Sequence, residues 1–169
     1  MSELGAVDAP HSILMNVFGF QLLGVFMIAY GFGLYQGISK GWDSKIGVIF
    51  IVIAGASMVA VGFFPCDPGC VNVSPTGFGH VITSMIPAIA MPFGIFFVMF
   101  RLRKDSQWQG YWLFSLAITI IAIILSPLAM VPYFGPWVGV LQRIGIGVPL
   151  FWMEVMSIKL LRLSIGQTA

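Results

Sequence analysis

Seven of the eight Lys and Arg residues fall in three short stretches, Lys40 to Lys45, Arg101 to Lys104 and Lys159 to Arg162, and the long runs between them hold only one more, Arg143. This recurrence is the imprint of a chain that crosses a bilayer several times, because basic loops stay on the cytoplasmic side. Composition agrees: 59% of the 169 residues are hydrophobic and 8% charged, too little charge to clothe a soluble globule of this size. The net charge of +2 comes from loop bias rather than a basic patch, so it gives no reason to expect nucleic acid as a partner.

A helix needs about 20 mainly apolar residues to cross the hydrocarbon. Segments of that kind lie near residues 13–38, 46–64, 78–100, 111–131 and 137–161. The expectation is an all-α integral membrane bundle of five transmembrane helices, forming a single domain over residues 1–169. Keeping the three basic stretches inside puts the N-terminus outside and the C-terminus inside, and every loop then falls on a consistent side. Trp42, Trp108, Tyr111, Trp112, Tyr133 and Trp137 fall at span ends, where aromatic belts form. The first ten residues carry Glu3 and Asp8 and no basic residue, unlike the start of a secretory signal.

In lipid, close approach through small residues supplies packing that hydrophobic burial does not. Gly33 with Gly37, Ala56 with Ala60 and Gly135 with Gly139 are candidate contact pairs. Pro87, Pro92, Pro127 and Pro149 each remove a helical amide and free a carbonyl. Asn16 and Gln21 are expected to hydrogen-bond between helices.

At about 100° per residue, Gly135, Gly139, Arg143, Gly147 and Glu154 share one side of the fifth helix, which predicts that Arg143 packs against protein. Glu154 is an intramembrane acid, expected to meet Lys159 or Arg162. On the third helix, His80, Thr83, Ser84, Pro87, Met91 and Gly94 form a small and polar side, opposite Ile82, Met85, Ile86, Ile89, Phe93 and Phe97. If the third and fifth helices are neighbours, Asp67, His80 and Arg143 converge beneath the outer surface, with Ser84 one turn below His80. Such a group is either a ligand site or a purely structural pairing of buried charge.

Cys66 and Cys70 bracket Asp67 and are expected to close a small disulfide loop in an oxidising compartment. A metal site built from Cys66, Cys70, His80 and His11 is the sharper but weaker alternative, and a haem held by His11 and His80 is weaker still. A Ser84, His80, Asp67 hydrolase triad can be drawn with little specificity. Neither metal nor cofactor is expected.

The succession Gly62-Phe63-Phe64-Pro65-Cys66-Asp67, Ser74-Pro75-Thr76-Gly77-Phe78-Gly79-His80 and Gly139-Val140-Leu141-Gln142-Arg143 resembles a bacterial and archaeal polytopic family known as domain of unknown function 998. The resemblance covers about Ser12 to Leu163 and singles out Asp67, His80 and Arg143. It implies a multi-pass protein of the prokaryotic cytoplasmic membrane. Family members are usually six-spanning, so this chain is expected to lack the first helix, and the paired cysteines fall outside the family pattern. The function expected is an outer-leaflet pocket of Asp67, His80, Ser84 and Arg143 that binds an anionic lipid headgroup or small ligand, with membrane lipids as partners. The alternatives are an accessory subunit of a larger membrane complex, or a homo-oligomer, docking through glycine faces, and a membrane enzyme with His80 as general base.

Overall fold

A computed structural model describes residues 2–128 and 137–166. Five helices follow one another: α1 (Ser12–Gly37), α2 (Trp42–Val61), α3 (Pro75–Lys104), α4 (Tyr111–Leu128) and α5 (Val138–Gly166). Short 3-10 turns occupy Ser2–Gly5, Pro68–Cys70 and Ser106–Trp108, and no strand occurs among the described residues. The chain is therefore an all-helical, multi-pass membrane protein. Helices α1, α2, α3 and α5 are each long and apolar enough to cross a bilayer. The apolar part of α4, Tyr111–Ser126, is shorter. The expected fourth span continues to Val131, beyond the described residues, as do Tyr133 and Gly135.

Each helix packs on the next, and α5 returns to touch α1 and α3, which closes the bundle. Glycine permits the closest approaches; of the expected pairs Gly37 takes part, since a Cβ there would collide with Leu160 of α5. A Cβ on Gly47 would lie 2.9 Å from the carbonyl oxygen of Gly94, and one on Gly55 would lie 2.8 Å from that of Gly24. Gly33 and Ala56 face outward instead. The useful pairs are thus formed between helices, α1 with α2 and α2 with α3, rather than along one helix.

Helix α3 runs unbroken through Pro87 and Pro92, and α5 through Pro149. Pro87 has no amide to offer the carbonyl of Thr83. Ser57 of α2 supplies the missing donor, its hydroxyl lying 2.8 Å from that oxygen.

One end of the bundle is fastened by polar bonds. The carboxylate of Asp43, 0% exposed, accepts from Arg101 Nε at 2.7 Å, with Lys104 at 3.6 Å. Asp105 accepts from the Ser39 amide at 2.8 Å, and Trp108 Nε1 donates to the Gly37 carbonyl at 3.0 Å. Arg103 stacks over Trp112 and Lys159 over Tyr111. The three basic stretches meet at this end.

On α5 the expected face is reversed. Its buried residues are Pro149, Trp152, Met153 and Met156, all from the middle of the helix. Arg143, Gly147 and Glu154 are exposed. Trp152 makes the contact that was assigned to the glycines: it is fully buried, donates from Nε1 to Ser115 Oγ at 2.8 Å and meets Tyr30 edge-on. A bulky indole that needs a partner for its N–H gains more from the small polar side of α4 than a glycine stripe does. Arg143 donates to the Gly139 carbonyl of its own helix at 2.9 Å, and Glu154 has no ion pair with Lys159 or Arg162 among the described residues.

Candidate ligand-binding cavity

Because the buried residues of α5 begin only at Pro149, its first turns stand away from α1 and α3. The gap is a cavity of about 730 Å³ at the end of the bundle opposite the basic loops. Ser2, Glu3, Gly69, Cys70 and Asn72 surround its mouth, and Met27, Met91 and Pro149 lie deeper. Along α3 the lining runs from His80 to Pro92, roughly 18 Å. Its walls are mostly Met, Leu, Val, Pro and Phe side chains, with polar groups at only a few positions.

The expected polar side of α3 faces this interior. His80, Pro87, Met91 and Gly94 are buried, and Ile82, Met85, Ile86, Ile89 and Phe93 face outward. His80 is 4% exposed. Its Nδ1 lies 2.8 Å from the Phe64 carbonyl oxygen. A carbonyl only accepts, so Nδ1 carries the proton and neutral His80 presents a lone pair at Nε2. That Nε2 is buried and has no hydrogen-bond partner among the described residues, and the residue lines the cavity. The ring is further held by Phe20, edge-on with centroids 6.4 Å apart. Phe20 belongs to Met15–Gln21, a π-helical stretch of α1, a rare geometry that occurs disproportionately at functional sites.

Asp67 is not part of this wall. Its carboxylate accepts from the Val73 amide at 2.7 Å, the Ser74 amide at 2.8 Å and the Ser74 hydroxyl at 2.6 Å. Ser74 Oγ in turn caps α3 by accepting from the Gly77 amide at 3.0 Å. These bonds, the Ser74 hydroxyl first, hold the Asp67 carboxyl below the usual carboxylate range. The acid therefore orders the loop and the start of α3. Cys66 and Cys70 meet at disulfide distance, Cα atoms 5.1 Å apart, around a turn in which Gly69 and Cys70 take positive φ.

The expected cluster therefore separates. His80 and Ser84 line the cavity, Asp67 lies in the loop above it, and Arg143 is exposed on α5 and absent from the lining. Of the Gly139 to Arg143 motif, Gly139, Leu141 and Gln142 reach the wall. The hydrolase triad is not assembled, since the Phe64 carbonyl, not Asp67, orients the imidazole. No group of three or more His, Cys, Asp or Glu able to hold a metal occurs among the described residues.

The N-terminal segment is folded down on this end. Asn16 Nδ2 donates to the Gly5 carbonyl at 3.0 Å and the Val7 amide to that of Cys66 at 3.1 Å. Sequence reasoning had no signal for this, because both bonds use backbone groups.

No curated protein and no solved structure matches the chain. A protein-family profile matches residues 1–159, from the N-terminal cover of the cavity through most of α5, so the chain belongs to the family described as protein of unknown function (DUF998).

Proposed function

We propose that this protein holds an amphiphile, a lipid or a small molecule with an apolar body and a polar head, in the cavity between α1, α3 and α5. In this reading five spans cross a prokaryotic cytoplasmic membrane with the N-terminus outside and the C-terminus inside, and the cavity lies in the outer leaflet. The three basic stretches gathered at the opposite end support that orientation.

One observation carries the reading: a recess of about 730 Å³, apolar over most of its wall, lined by His80, whose buried Nε2 has no partner among the described residues. That volume is in the range of sites for drug-sized ligands, which combine apolar walls with a few placed polar groups. Leaving a buried acceptor unmatched costs about 1–3 kcal/mol, which a ligand's donor would recover.

Gly145 gives a clean test, because it lines the cavity and a Cβ built there meets nothing within 4 Å. Gly145→Leu should project an isobutyl group into the recess and narrow it without straining the helix. In nanodiscs, a pyrene-labelled dodecyl amphiphile should bind wild type saturably and the variant at least tenfold more weakly, with thermal stability unchanged or raised. Equal binding by a folded Gly145→Leu protein refutes the cavity reading.

A second reading is an accessory subunit or homo-oligomer. It is favoured by Glu154, exposed on α5 without a partner among the described residues, where a lone carboxylate facing hydrocarbon is unfavourable. Purification in mild detergent as a lone monomer refutes it.

A further inference from the structure

The cavity presents hydrogen-bond acceptors and no cationic side chain. His80 offers the Nε2 lone pair, because Nδ1–H is committed to Phe64. Asn72 has a buried Oδ1 without a partner among the described residues, and Glu3 contributes a carboxylate to the lining. The prolines add to this. Pro92 removes the usual donor to the carbonyl of Ala88 and Pro149 that to the carbonyl of Gly145. Both prolines and both of those residues line the cavity. The comparable carbonyl left by Pro87, that of Thr83, is already taken by Ser57.

Opposing this, no Lys or Arg is among the lining residues. The nine residues between α4 and α5, Ala129 to Trp137, contain none either, so that connection has no basic side chain to contribute. Arg143, the one basic residue at this end of the helices, is exposed and bonded to Gly139.

Resting on the reading of the cavity as an amphiphile site, we propose that it selects a head group that donates hydrogen bonds, an alcohol or a protonated amine, and discriminates against anionic heads. Neutral His80 accepts the donor through Nε2, and Ser84, one turn below on the same wall, is placed for a second bond. A hydroxyl or ammonium hydrogen finds acceptors there. A carboxylate or phosphate meets the His80 lone pair with no cation in the lining to neutralise it.

Three probes with the same pyrene-dodecyl chain and different heads, alcohol, ammonium and carboxylate, separate the possibilities. They are titrated into neutral phosphatidylcholine nanodiscs with and without protein, so that partitioning into lipid is subtracted. One well-placed hydrogen bond against one unmatched acceptor corresponds to about tenfold in affinity. The alcohol or the ammonium should therefore bind at least tenfold more tightly than the carboxylate, and the relative strength of those two arms reports whether neutral or cationic donors are preferred. His80→Phe, which keeps a ring against Phe20 but removes Nε2, should bring the three probes to within about threefold of one another. A carboxylate that binds wild type as well as the other two overturns the donor selectivity while leaving the cavity reading intact. Saturable binding of none of the three overturns both. The wild-type ranking decides the matter even if His80→Phe fails to fold.

Discussion

The bond between Ser57 and the carbonyl freed by Pro87 allows a quantitative test of how this bundle is held. Ser57→Ala removes a donor 2.8 Å from the Thr83 oxygen, at a site where Ser57 is buried. Interhelical side-chain hydrogen bonds in membrane proteins contribute about 0.6 kcal/mol on average and up to about 1.7. This one is at the upper end, because the carbonyl has lost its helical donor, so the expected loss is about 1–1.5 kcal/mol. Pro87→Ala restores an amide that reaches the same oxygen. In that background Ser57→Ala should cost only about 0.3 kcal/mol, giving a coupling near 1 kcal/mol in a double-mutant cycle. The assay is reversible unfolding in mixed micelles of mild detergent and SDS. Equal losses in the two backgrounds would refute the claim that Ser57 substitutes for the missing amide.

Other expectations follow from the two polar ends. Asp67 has a lowered carboxyl pKa in the folded protein; its stabilising effect is fully present above the ordinary aspartate range near pH 4 and is lost as pH falls through the lower folded value. Acid unfolding should therefore become less steep in Asp67→Asn, and the Val73 and Ser74 amides should exchange with deuterium faster in that variant at neutral pH; unchanged exchange contradicts the loop-ordering role. At the basic end, Arg101→Ala should cost about 2 kcal/mol, a value discounted from the buried-pair range because its side chain is 15% exposed. Lys104→Ala, at 3.6 Å and 61% exposed, should cost less than about 0.5, and a reversed order refutes the assignment. Trp152→Phe should cost about 1–3 kcal/mol through the lost bond to Ser115 and the space left beside Tyr30; a neutral result in the same unfolding assay argues against Trp152 as the anchor of α5.

The helices were legible because hydrocarbon thickness imposes a length on apolar runs, and each expected span has a helix at its place. The polar side of α3 was legible too, since His80, Thr83 and Ser84 interrupt an otherwise apolar segment on one face. The facing of α5 was not. Lipid is as apolar as a leucine side chain, so the contrast that tells inside from outside in a soluble helix is missing. Glycines and a lone arginine then misled, while the indole of Trp152 determined the contact. Asp43 and Asp105 were overlooked because the topology rule counts basic residues and gives acids little weight. The separation of Asp67 from His80 depends on backbone acceptors and donors, Phe64 O and the Val73 and Ser74 amides, which side-chain patterns do not reveal.

The most direct test of the account is an experimental density map of the wild-type protein in a lipid bilayer, read at the space enclosed by Phe20, His80, Met91 and Pro149. The account predicts elongated density there, with its polar end within hydrogen-bond distance of His80 Nε2 and its tail toward Met27. Closure of α5 onto α1 and α3, with the recess filled by the protein's own side chains, would contradict it.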